Sequence, residues 1–200
     1  KTGQWEDTLI VFSADHGEQL GDHYLVGKGH FYDGAMHIPC IIRDPSNKAR
    51  HTRGTVVDHF VESIDLGPTV LDWLDVDSPD RFQGKSLLGS LYGEDDFEFK
   101  EEIHYEFDYR SSARAIDSDT EMDKHLLWVL RTKKFKYVHF ADDKIPSLLF
   151  NLEEDPEEFE NIAQDPKYSS IVMDLMNRML VWRMRCEDQR MENWASQFRY

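Results

Sequence analysis

Two cysteines in 200 residues, Cys40 and Cys186, leave no disulfide framework, and no Cys-x-x-Cys pair offers a thiolate metal site. Both read as reduced, mostly buried thiols, which sets the expectation of a cytoplasmic protein. Positive charge is scarce as well: 23 Lys+Arg face 39 Asp+Glu, a formal net charge of −16. That balance argues against a nucleic-acid partner, which wants a basic face, and against adhesion to an anionic membrane. No apolar run approaches the roughly 20 residues of a membrane-spanning helix. Internal repeats and low-complexity tracts are missing. So are a Gly-rich phosphate loop and a defensible Ser-His-Asp arrangement. No leader pattern opens the chain, but Lys1 is not expected to be a native start.

What is present is a packed-core composition, 40% hydrophobic and 12% aromatic. TLIVFSA, residues 8–14, is a continuous apolar run with β-branched residues in it. It predicts a strand buried on both faces, as in a parallel sheet covered by helices. Asp15-His16-Gly17 stands at its C-terminal end, where open α/β sheets bind ligands. HIPCIIR, residues 37–43, reads as a second strand. Pro68 suits the first turn of a helix through Leu71, Trp73 and Leu74. Residues 75–100 read as loop, with a soft boundary there. Beyond it, EIHYEFDYR, LLWVLRTKKFKYVHF and SLLFNLEEDP read as antiparallel strands, with Thr132-Lys133-Lys134 as a hairpin turn. Lys136 to Phe140 alternates like a half-exposed strand. Tyr168, Ile171, Val172, Leu175, Met176, Met179 and Trp182 follow the i, i+3, i+4 spacing of one amphipathic helix face. The aromatic tail after Arg190 is expected to pack on a partner subunit, predicting a homo-oligomer.

SADHGEQLGDHYLVGKGHFYDGAMHIP, residues 13–39, concentrates the polar chemistry. His16, His23, His30 and His37 fall seven apart, but Gly17, Gly21, Gly27, Gly29 and Gly34 interrupt any helix that would align them. The segment is loop chemistry. A carboxylate and an imidazole at Asp15 and His16 can reach one ion if Gly17 turns the backbone. The alternative is an N-cap aspartate beside a surface histidine. Lys28, between two glycines, can present a point charge to a phosphoryl or sulfuryl oxygen, or be a solvated loop lysine. His30 and His37 can donate to the same anion, or cap a loop and pack a strand.

Taken together these residues resemble the sulfatase branch of the alkaline phosphatase superfamily. The segments that carry the likeness are GQWEDTLIVFSADHGEQLGDHYLVGKG, VESIDLGPTVLDWLDVDSP, FQGKSLLGSL, FKYVHF and LLFNLEEDPEEFENIAQDP, in the family's order. DHGEQLGDH, EIHYEFDYR, FKYVHFAD and WRMRCEDQR are similar to phosphonate monoester hydrolases within that branch. The resemblance implies an α/β fold: the C-terminal portion of an alkaline-phosphatase-like mixed sheet flanked by helices, plus a small antiparallel sheet packed with a C-terminal helix. Residues 1–95 would belong to the catalytic α/β domain and 96–200 to the small subdomain. It implies that Asp15 and His16 ligate one divalent metal ion, manganese, calcium, iron or zinc. Lys28 would be catalytic and bind the substrate, with His30 and His37 as further substrate-binding residues. Relatives often carry arginine at position 37, where this chain has His37. The substrate would be a small anionic ester: a phosphonate monoester, with phosphodiesters and sulfate esters also cleaved. The alternatives are an arylsulfatase, or a non-catalytic assembly fragment. The family's nucleophile lies in a Cys/Ser-x-Pro/Ala-x-Arg motif whose first residue becomes formylglycine. No such motif occurs here, because neither Cys40 nor Cys186 has the right followers. This chain is therefore expected to be the C-terminal part of a longer enzyme, with its formylglycine in the missing part.

Overall fold

The computed structural model describes residues 2–28, 31–109 and 124–186, in two compact units. One comprises residues 1–78 and 84–103, the other residues 79–83 and 104–200.

In the first unit, β1 (Ile10–Ser13) pairs antiparallel with β4 (Cys40–Arg43), Val11 opposite Ile42 and Ser13 opposite Cys40. The expectation of a strand buried on both faces is not met. β4 is its one strand neighbour among the described residues, and Phe12 and Ile41 are 60% and 61% exposed. A minimal hairpin, β2 (Gln19–Leu20) and β3 (Val26–Gly27), follows β1, then the single turn α1 (Asp33–Met36).

α2 (Leu66–Trp73) carries Pro68 in its first turn, where the missing N–H has no intrahelical acceptor to lose. The 3-10 turn Ser63–Asp65 that leads into it is fixed by a capping box between Glu62 and Asp65. Asp65 is 1% exposed, and its carboxylate accepts from the Glu62 and Lys85 backbone N–H groups and from the Lys100 ammonium. A buried carboxylate is tolerable only with that many donors. Thr69 Oγ1 then donates to the Asp65 carbonyl and accepts from the Leu87 N–H. These bonds lash the Gly84-Lys85-Ser86-Leu87 loop to the helix start. Gly84 is obligatory there, because a Cβ would lie 2.0 Å from the Ile64 carbonyl oxygen. The segment read as loop over 75–100 contains one short helix, α3 (Leu88–Tyr92), closed by Gly93 at φ +67.

β5 (Glu102–Asp108), which lies in the second unit from His104 on, and β6 (Leu126–Thr132), β7 (Phe135–Phe140) and β8 (Leu148–Asn151) of that unit form a four-stranded sheet in sequence order. β6 and β7 make the expected hairpin, and the Phe135 N–H donates to Thr132 Oγ1 at 2.8 Å. α4 (Ser169–Cys186) lays Leu175 and Met179 against Leu130, Tyr137 and Leu149. Trp182 stacks on the His104 ring, centroids 4.4 Å apart. Met176, placed on the same face by spacing, is 38% exposed, because the sheet does not reach across the whole stripe. β7 also departs from its reading. Lys136, Tyr137 and Val138 are all buried, since Tyr137 faces α4 and the ammonium of Lys136 meets buried Glu158 on the other side. The aromatic tail lies outside the described residues.

Candidate metal and anion site

Asp15 and His16 emerge from the C-terminal end of β1, and Gly17 turns the chain. The Gly17 N–H donates to the Ala35 carbonyl at 2.8 Å, so α1 holds the turn from beneath. The two backbones are in van der Waals contact: a Cβ on Gly17 would lie 2.2 Å from the Gly34 oxygen. This backbone-to-backbone approach explains why the sequence has glycine there, and neither peptide can move aside without breaking the bond to Ala35. Gly17→Ala is expected to destabilise the protein by about 1–3 kcal/mol, the usual cost of forced overpacking. Urea unfolding measures it, and an unchanged midpoint would remove the close approach.

The hairpin β2–β3 then folds the chain back, so that Lys28, twelve residues on, returns to His16. Its tip is built from left-handed residues, His23 at φ 53 and Tyr24 at φ 59. The His23 ring is stacked on Tyr32 at 3.7 Å, which holds this costly backbone in place.

Three of the expected site residues thus converge. His16 Nδ1 lies 2.7 Å from the Gly17 carbonyl oxygen, which can only accept, so Nδ1 carries the proton. Nε2 is then the lone-pair nitrogen. The ammonium of Lys28, a donor only, hydrogen-bonds to it. Asp15 Oδ2 lies 3.3 Å from the same Nε2. Two lone-pair atoms facing each other at that distance repel unless a positive charge lies between or beside them. An imidazole whose far N–H is anchored to a carbonyl is also the arrangement metal-bound histidines use. The donors present, one carboxylate oxygen and one imidazole nitrogen, therefore fit a divalent cation. They supply two ligands, and among the described residues no group of three His, Cys, Asp or Glu side chains forms a complete set.

His37 is not part of this cluster. Its backbone N–H closes α1 on the Asp33 carbonyl, and its exposed imidazole makes no hydrogen bond or ion pair among the described residues. His30 lies outside the described residues. Gln19, which the sequence reading passed over, is fully buried at the base of the hairpin. Its amide has no hydrogen-bond partner among the described residues. No sequence signal marks it: a glutamine in a glycine-rich loop reads as solvated. The expectation of mostly buried thiols is not met, since Cys40 is exposed and Cys186 half-buried; Cys40 lies at the edge of a small pocket with Ser13, Ile38, Val61, Glu62, Ser63 and Leu66. Desolvation, and then the charge of Asp65, push its thiol above the usual range, away from a nucleophile's thiolate.

Residues 21–185 match the family model for the C-terminal region of N-sulphoglucosamine sulphohydrolase. The chain is 40% identical over 199 residues to the multifunctional alkaline phosphatase superfamily protein PehA of Trinickia caryophylli, covering 98% of this chain and 38% of that protein. It is 30% identical to an arylsulfatase of Clostridium perfringens, over 90% of this chain and 34% of the relative. Among solved structures it is similar to the phosphonate monoester hydrolase of Agrobacterium radiobacter, with a TM-score of 0.85 and 35% identity over 94% of this chain and 37% of that one. A phosphonate monoester hydrolase from Silicibacter pomeroyi gives a TM-score of 0.84 at 38% identity, with the same coverage. The chain thus spans between 34% and 38% of the length of these proteins.

Proposed function

This chain belongs to the sulphohydrolase C-terminal family of the sulfatase and alkaline phosphatase superfamily, and from that premise we propose that it is the C-terminal part of a metal-dependent phosphonate monoester hydrolase. Phosphodiesters and sulfate esters are its further substrates in this reading. The observation that carries it is the convergence of Asp15, His16 and Lys28 at the end of β1. Identity of 35% and 38% to two phosphonate monoester hydrolases supports the substrate class.

Asp15 and His16 Nε2 would hold one divalent ion, manganese, calcium, iron or zinc, with its other ligands outside this chain. When bound, that ion supplies Lewis-acid charge at the ester and at the nucleophile. The nucleophile, a formylglycine, would also lie outside this chain.

The chain's own residues have separate tasks. Asp15 contributes the negative charge that makes a cation seat at the strand end. His16 offers a lone pair whose direction is set by the Nδ1–H bond to Gly17. Lys28 would place its ammonium on a non-bridging oxygen of the tetrahedral phosphorus or sulfur, where charge grows in the transition state. One such donor contributes about 3–4 kcal/mol in comparable sites. The exposed imidazole of His37, without a partner among the described residues, is available as a second donor to the anion, and His30 is assigned the same role. A seat that recognises charge and tetrahedral shape discriminates little between phosphonate, phosphodiester and sulfate. The second reading, an arylsulfatase, rests on the 30% identity to the Clostridium perfringens enzyme. A cytoplasmic location and a homo-oligomer belong to the proposal, supported by cysteine usage and by the aromatic tail.

Hydrolysis of an aryl phosphonate monoester beside an aryl sulfate tests it, with this chain alone and with the full-length gene product. Turnover by the full-length product only, with phosphonate preferred, is the expected result. Preference for sulfate would favour the second reading. Turnover by the isolated chain would place the nucleophile inside these residues and overturn the split site.

A further inference from the structure

Resting on the assignment of Asp15 and His16 as cation ligands, we infer that Lys28 is the built-in occupant of their seat, and that a metal ion binding at His16 Nε2 displaces its ammonium. The lone pair on Nε2 is single. The Nδ1–H bond to Gly17 commits the ring to this tautomer, and Lys28 Nζ already bonds to the free nitrogen. Asp15 Oδ2, 3.3 Å away, adds the negative charge that any cation there requires. A metal ion held by Nε2 would need the same lone pair that the ammonium now engages. The two cations cannot share one lone pair, so their occupancies are mutually exclusive.

The exchange balances simply. The Nζ–H···Nε2 hydrogen bond breaks, a metal–Nε2 bond forms, and Lys28 keeps its three protons. The described residues before Lys28 leave its side chain free to swing. Lys28 is exposed and follows Gly27, which sits at φ +91 with open space around it. The displaced ammonium then stands beside a divalent charge of the same sign. Repulsion keeps it off the ion until an anion bridges the two. Metal loading therefore delivers the lysine to the place where a substrate oxygen would need it. By linkage, lysine and metal weaken each other's hold on His16 by the same factor.

Mn²⁺ affinity, read by electron paramagnetic resonance of the free ion in the full-length enzyme, tests this without any turnover. Lys28→Met is expected to tighten Mn²⁺ binding roughly tenfold relative to the wild type, within the usual range of coupled sites. The tightening should survive about 1 M salt, where screening shortens a mere through-space field to roughly 3 Å. No tightening, or one that vanishes in high salt, overturns the exchange. Asp15→Asn is measured in parallel. If it loses Mn²⁺ while Lys28→Met binds like the wild type, only the exchange fails. If Asp15→Asn itself binds Mn²⁺ like the wild type, the metal assignment beneath it fails.

Discussion

Asp15→Ala in the full-length enzyme is expected to lower metal-dependent kcat/KM by roughly a thousandfold or more, with little loss of stability. The two halves of that expectation come from different observations. The Asp15 side chain is 87% exposed, and its one partner among the described residues is the adjacent imidazole. Removing it therefore leaves no cavity and strands no buried group, so surface-mutation energetics apply. Its electrostatic role is another matter. Without the carboxylate, His16 Nε2 would be the one proposed ligand left at the strand end among the described residues, and the ammonium of Lys28 beside it repels any incoming cation. Loss of a single charge-stabilising donor in a water-excluded site already costs about a hundred- to a thousandfold in rate. Loss of an ion's anionic ligand removes that stabilisation and the ion's occupancy together. Metal content by elemental analysis and kcat/KM should fall in parallel, while the thermal midpoint stays. Asp15→Asn, which keeps shape and removes charge, should behave alike. A variant with wild-type rate and wild-type metal content would sink the assignment.

Much of this site was legible because its parts are local. An apolar run ending in Asp-His-Gly announces a strand end with two donors and a turn. The hairpin of β6 and β7, the helix opened by Pro68 and the stripe of α4 are likewise carried by short-range periodicity and turn chemistry. What the sequence did not disclose is pairing at a distance. The β1 run reads as a doubly covered strand, but exposure depends on which strands lie beside it, and periodicity cannot supply the neighbours. Lys28 and His16 were both visible as chemistry. Their direct contact was not, because it depends on a hairpin tip with two consecutive left-handed residues at His23 and Tyr24. Nothing about histidine or tyrosine advertises that conformation. Likewise a lysine at position 100 closing the capping box of Glu62 and Asp65 lies 35 residues or more from its partners.

The same blindness to distance hid the pair with the largest structural consequence. Lys136→Met alone, or Glu158→Gln alone, is expected to destabilise the second unit by about 3–5 kcal/mol. Lys136 is 0% exposed and Glu158 is 4% exposed, and the ammonium and carboxylate meet in an ion pair. Alternation along β7 reads Lys136 as a surface residue, whereas the return of the chain at Glu158 sets an opposite charge against its buried ammonium. Glu158 reaches that position through a left-handed backbone, φ 61, unusual for a residue with a long side chain. The fold thus bears a backbone cost to bring this carboxylate to this lysine. Deleting either partner removes the opposite charge of this pair from a buried group, which is the source of the penalty; the pair's own net contribution is much smaller. Two further variants separate these effects. The double replacement Lys136→Met with Glu158→Leu removes both charges and should recover most of the loss. Glu158→Gly relieves the backbone but still removes the carboxylate paired with buried Lys136, so it should remain strongly destabilised. Guanidinium unfolding of all four variants decides the matter. If Lys136→Met costs no more than a surface substitution, the ammonium is not buried against Glu158, and β7 is the half-exposed strand its alternation suggests.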